Sequence, residues 1–126
     1  MKEKTFIQLK FQNLDLEVQK DEKYEWLLET NLVAKGYDVV PSAVLNHKMR
    51  KTDELLEGQH WVSQSVITSG GKQTKIFWTK EGVIYLGFFI RSDRAKQFRK
   101  WASKLILNHL EPKETSLETL KNELKQ

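Results

Sequence analysis

Six polar residues within one short stretch, Ser42, Asn46, His47, Lys48, Arg50 and Lys51, are the side chains of this 126-residue sequence best suited to do chemistry. Their chemistry is recognition, not bond making. An Asn amide bonds an adenine edge bidentately, an Arg guanidinium does the same to guanine, and a Lys ammonium suits phosphate. Lys72, Gln73 and Lys75 follow the Gly70-Gly71 pair as a second polar cluster, and Arg94 stands in a third with Arg91 and Arg99. Each cluster has a plainer alternative. Polar helices and turns without partners are common, and Arg94 or Arg99 can instead pair with Asp93 or Glu81. Lys96, Lys100 and Lys104 recur every fourth position and read more readily as a solvated helix face than as a binding one.

No catalytic or metal centre assembles from this sequence. It has no Cys, which excludes disulfides, thiolate zinc sites and a Cys nucleophile. His47, His60 and His109 lack metal-ligand spacing, and no Ser-His-Asp grouping stands out. A nuclease would need a carboxylate cluster near its basic surface, yet residues 61–110 contain only Glu81 and Asp93. Gly70-Gly71 reads as a turn, because no helix follows it directly to cradle a phosphate. The chain is therefore expected to be no enzyme and to use no cofactor. Among Trp26, Trp61, Trp78 and Trp101, core packing is the expectation for Trp78 and Trp101, and Trp61 is the one most open to stacking on a base. Residues 83–90, the longest apolar run, are too few to cross a bilayer, and no apolar stretch of signal-peptide length follows Lys2 and Lys4. A cytoplasmic protein with no membrane partner fits these features.

The formal net charge is +4, unevenly spread. Residues 61–110 hold Lys+Arg 9 against Asp+Glu 2, whereas residues 1–60 hold 9 against 11. A basic block of that size is the footprint expected of a phosphate-binding surface.

Periodicity indicates the elements that must position these clusters. Residues 5–11 and 14–18 read as two short strands forming a hairpin around Gln12 and Asn13, with Leu14, Leu16 and Val18 alternating against Asp15 and Glu17. Residues 24–35 read as a helix with Trp26, Leu27, Val33 and Ala34 in one stripe, and Gly36 follows in the place of a C-cap. After a turn, Pro41 and Ser42 open a second helix through about Arg50, since proline is tolerated in a first turn. Helix, glycine turn, short polar-basic helix is the layout of a helix-turn-helix. Residues 52–58 add a helical turn. Strands at 61–68 and 74–78, linked by residues 69–73, make a hairpin that resembles a wing, its tip carrying Lys72. Residues 81–90 form a buried helix with Thr79 as N-cap, and Ser92 caps the next, whose core stripe is Ala95, Phe98, Trp101, Ala102 and Leu105. Glu111-Pro112 ends that helix, and residues 115–124 could form one more with Leu117, Leu120 and Leu124 aligned.

Several of these residues also carry a family likeness. Trp78-Thr79-Lys80-Glu81-Gly82, the run 85–90 and Ser92-Asp93-Arg94-Ala95-Lys96-Gln97-Phe98-Arg99-Lys100-Trp101 resemble the second half of the BRO-type N-terminal domain. That domain occurs in phage and prophage antirepressors and in baculovirus repeat proteins, and a related pattern occurs in RhuM-like virulence proteins. The last block, of the form S-x-R-A-x-x-F-R-x-W, is the most specific, and the likeness covers roughly residues 25–108. It implies a DNA-binding module of mobile genetic elements. One departure is Lys35, where the family usually has leucine before Gly-Tyr. Antirepressors also usually carry a second, variable C-terminal domain.

The expected architecture is α+β: a small N-terminal β-hairpin, a helix-turn-helix with a β-hairpin wing, and C-terminal helices. Residues 1–110 would form this domain and residues 111–126 a helical tail or linker. The expected function is the DNA-binding domain of a phage-type antirepressor or transcriptional regulator. Ser42, Asn46, His47, Lys48, Arg50 and Lys51 would enter the major groove of double-stranded DNA, with Lys72, Gln73, Lys75 and Arg94 alongside. A homodimer fits, since helix-turn-helix readers commonly pair on two half-sites. The alternative is a protein-interaction module that binds a repressor or other regulator without touching DNA.

Overall fold

Five strands and four helices make an α+β fold in the computed structural model, which describes residues 5–106. The strands are β1 (Phe6–Phe11), β2 (Leu14–Asp21), β3 (Glu25–Glu29), β4 (Trp61–Thr68) and β5 (Gly71–Thr79). All pairings are antiparallel, in the order β1-β2-β3-β5-β4. The helices are α1 (Thr30–Tyr37), α2 (Pro41–Arg50), α3 (Lys80–Leu86) and α4 (Ala95–Lys104). Side chains alternate across a strand, so register assigns Leu16, Val18, Trp26, Leu28 and Trp78 to one sheet face, where the core joins them to Val33, Val44, Leu86 and Phe98 of the helices.

The N-terminal hairpin forms as the alternation predicts, but residues 24–29 do not form a helix. Glu25–Glu29 is strand β3, held between β2 and β5, and Trp26, Leu27 and Leu28 are all buried. Three consecutive buried residues point to both faces of a central strand, an arrangement a single helical stripe cannot provide. Helix begins only at Thr30.

Gly36 also departs from its expected role. It lies inside α1, and the left-handed residue that ends the helix is Asp38, with φ 61. The Asp38 and Val39 amides close the end onto Lys35 and Ala34 carbonyls at 3.2 and 2.9 Å, and Asp tolerates this conformation better than most residues. Pro41 opens α2 as expected. The residues after α2 form turns that bury Leu55.

The β4–β5 turn is tighter than residues 69–73 would make it. Thr68 pairs directly with Gly71, leaving Ser69 and Gly70 as the turn. Lys72 and Gln73 therefore belong to a strand. Thr79 caps α3 as predicted, accepting from the Gly82 amide at 2.9 Å. The helix stops at Leu86, after which Gly87 and Phe88 donate to Ile84 and Tyr85 in tighter turns. Ser92 does not cap α4. Its hydroxyl donates to the Tyr37 carbonyl at 2.6 Å, and α4 starts at Ala95.

All four indoles are tied by hydrogen bonds. Trp26, Trp61 and Trp101 donate to the carbonyls of Leu105, Leu55 and Lys10, and Trp78 donates to Thr30 Oγ1. The Thr30 hydroxyl in turn donates to the Ile76 carbonyl at 2.9 Å. Thr30→Val would leave a buried indole N–H and a carbonyl unpaired, costing about 2–4 kcal/mol. Urea unfolding should show that loss, and Thr30→Ser should recover most of it. The proposed boundary at residue 110, His109 and the candidate helix at 115–124 lie outside the described residues.

Candidate nucleic-acid interface

Val44 is the buried anchor of α2 and sets the phase of the helix. Positions near 180° from it, Ser42, Asn46 and Met49, face solvent, and Arg50 is exposed on the flank. Met49 is 70% exposed, an apolar residue on this outer face. The phase set by Val44 is the signal that would have singled it out.

His47, Lys48 and Lys51 lie on the inner side and are half-buried. His47 stacks on Phe89 with centroids 5.9 Å apart, and the Lys51 ammonium sits 4.7 Å from the same ring. Lys48 lies 4.1 Å from the Trp61 ring centroid. Cations over aromatic faces are attracted by the ring quadrupole, so these side chains fasten α2 to β4 and to the segment after α3. Trp61 is thus half-buried beneath a lysine, which leaves little of its face for a base.

The hairpin projects past the rest of the sheet. β3 pairs with β5 only at Phe77, Trp78 and Thr79, so residues 71–76 have strand β4 as their one sheet neighbour. Alternation divides the predicted hairpin contacts. Lys72 shares the helix-side face with Ser63, Ser65 and Thr74, all exposed. Gln73 and Lys75 take the other face, where Lys75 pairs with Glu29 at 3.0 Å. Lys80 likewise pairs with Glu25 at 3.5 Å.

Arg94 is the half-exposed N-cap residue of α4, on the segment that Ser92 ties to the end of α1. The structure does not bring it to the hairpin face. Arg99 serves the fold: it donates to the Gly87 carbonyl and covers the Phe88 ring at 4.9 Å. Lys96, Lys100 and Lys104 are solvent-exposed. The basic block of residues 61–110 is consequently dispersed. Neither α2 with its flanks, residues 39–52, nor the hairpin, residues 58–80, contains an Asp or Glu, and Asp53, Glu54 and Glu57 lie in the turns that join them.

Comparison with protein families, curated proteins and solved structures finds no match for this chain. Chemistry must therefore be judged from the residues themselves. Among the described residues no group of three or more His, Asp or Glu side chains could hold a metal ion. No described helix is long and apolar enough to cross a membrane.

His60 is buried at the base of the hairpin. Its Nδ1 accepts from the Leu56 amide at 3.0 Å, its ring stacks on Tyr85, and Nε2 lies 3.7 Å from a Glu81 oxygen. Burial lowers its pKa below the usual 6.5, against the opposing pull of Glu81. His47 is lowered too, by burial first and then by Lys51 and Arg50. Both rings bind protons less readily folded than unfolded. Their contribution to stability is full above about pH 6.5 and is lost as pH falls through that value toward the folded pKa. The urea midpoint should drop between pH 7.5 and 5.5, and His60→Gln should flatten that dependence.

Proposed function

We propose that this domain binds double-stranded DNA, with the outer face of α2 in the major groove and the β4–β5 hairpin on the adjoining backbone. The observation that supports it most is the absence of Asp and Glu from α2 and from both hairpin strands, the acids Asp53, Glu54 and Glu57 being confined to the turns between them. Asn46 and Arg50 project from an exposed helix face as types that read adenine and guanine edges, and Lys72 is a phosphate partner on the hairpin. In this reading α1, the Asp38 turn and α2 act as a helix-turn-helix with the hairpin as its wing. The likeness to the BRO-type domain supports the same role, that of a phage-type antirepressor or transcriptional regulator.

Binding to pooled random duplex DNA at low and moderate salt, with sequencing of the retained fraction, tests the proposal. Affinity should fall by roughly 0.9 log unit per log unit of salt for each phosphate contact, and a motif should be enriched. Absence of binding at low salt would overturn it.

A second reading is favoured by the apolar side chains on and beside this surface. Ile67 is 81% exposed, and Met49 and Val40 are 70% and 62% exposed, more apolar area than a phosphate-binding surface needs. In that reading the face meets a repressor or other regulator. Charge reversal at Arg50 and Lys72, both exposed, separates the two, since it abolishes DNA binding while sparing a contact made through Met49 and Ile67.

A further inference from the structure

The sheet ends in two edges that differ in character. β1 carries Lys10, which is exposed and pairs with Asp15, and charges of this kind discourage another strand from adding. β4 carries no charge. Residues 61–71 hold no Asp, Glu, Lys, Arg or His, in a chain that is 30% charged.

The edge of β4 is also open. Thr68 and Gly71 close the two-residue turn, so the main-chain groups of Val62, Gln64, Val66 and Thr68 bond to β5 and those of the alternate residues point away. Trp61 confirms this phase, because its carbonyl accepts from the Gly58 amide on the outer side at 2.7 Å. Ser63, Ser65 and Ile67 then direct their N–H and C=O groups outward, and all three are exposed. Such a row is a template for a further strand.

We propose that β4 is a homodimer seam, pairing antiparallel with β4 of a second copy about a two-fold axis at Ser65. The register follows from the open groups. Ser65 faces Ser65 of the partner subunit and Ser63 faces Ile67 of the partner subunit, and this arrangement engages all three open residues on each side. An isologous contact must be self-complementary. A strand without charge meets that demand in a chain of net charge +4, whose basic surfaces would repel their own copies. Pairing also covers Ile67, since a side chain in an antiparallel pair reaches its direct and diagonal neighbours.

The two-fold axis runs perpendicular to the sheet, which keeps both α2 helices on the same side. Trp61, the contact point of Lys48, is four residues from Ser65. At about 3.3 Å per residue the two Trp61 positions are on the order of 27 Å apart, near the ~34 Å between successive major-groove half-sites. That last correspondence rests on the DNA-binding reading, and the dimer itself does not.

Sedimentation of the full chain over the micromolar range should give twice the chain mass. Ser65→Pro removes only an outward N–H, and Ser65→Lys sets two like charges face to face. Both should sediment as single chains with unchanged circular dichroism. The chain has no Cys, so Ser65→Cys places one thiol opposite itself, about 5.5 Å apart between Cα atoms and within disulfide range. It should oxidise to a covalent dimer, whereas Thr68→Cys, with its two copies roughly 20 Å apart, should not. A wild type that stays monomeric overturns the proposal, as does a dimer that survives both Ser65 substitutions or fails to cross-link. So does a monomer that instead takes up an added extended peptide along β4. Binding of monomeric Ser65→Pro to a single half-site is read separately, so loss of the dimer and failure of the DNA reading remain distinct.

Discussion

Gly36→Ala should destabilise the domain by about 2–4 kcal/mol, although alanine is the better helix former. Propensity alone would favour the change by about 1 kcal/mol, because Gly36 lies inside α1 with no positive φ to preserve. Packing decides the sign. A Cβ at this position would fall on the ring of Phe98. That ring is fully buried, edge-on to Tyr37 at 4.7 Å, stacked on Trp101 at 5.4 Å and 5.0 Å from Phe11. It can yield only if α4 moves away from α1 and β1, and forcing extra volume into a closed core commonly costs 1–3 kcal/mol or more. Urea unfolding measures the result. Addition of Phe98→Leu should cost less in the Gly36→Ala background than alone, since the smaller side chain relieves the overlap. A glycine acting as a left-handed cap would behave differently: asparagine would then substitute well, whereas Asn at position 36 should be worse than Ala. Gly82 is a parallel case, where a Cβ would meet the His60 carbonyl oxygen.

What could be read in advance follows how local each signal is. α2 was legible because Pro41 marks its start and a run of polar and basic residues fills its last turn. β4 was legible from its bounds, and the Thr79 cap from a hydroxyl three residues before Gly82. β3 was not legible as a strand. The run Trp26-Leu27-Leu28 has no period, so a buried strand and a helix segment look the same until β2 and β5 supply the pairing. The exchange of roles between Gly36 and Asp38 depends on Phe98, far along the chain, and Ser92 was drawn from capping by the Tyr37 carbonyl. The candidate surface shows the same division. Its residue types were visible, but orientation was not. Phe89 and Trp61 turn His47, Lys48 and Lys51 inward, and Glu29, on the strand the periodicity missed, engages Lys75.

Arg50 and Lys75, alike in the sequence as basic candidates, should therefore respond in opposite ways to the same substitution. Arg50→Glu should weaken DNA binding roughly ten- to a hundredfold, the range expected when a base-reading arginine is lost. Arg50 is exposed on the α2 flank and takes part in no ion pair among the described residues. Reversal there leaves folding intact and sets a carboxylate against the phosphates. Lys75→Glu should leave affinity within about twofold, because its side chain points from the sheet face opposite α2. Its effect should fall on stability instead. The new carboxylate would face Glu29, whose partner it replaced at 3.0 Å, and like charges on neighbouring strands are unfavourable. Fluorescence anisotropy with a labelled duplex and urea unfolding on the same two proteins give the four numbers required. If Lys75→Glu were to abolish binding while the fold held, the contact surface would have to include the far side of the sheet, and the outer face of α2 would lose its claim to be the centre of the site.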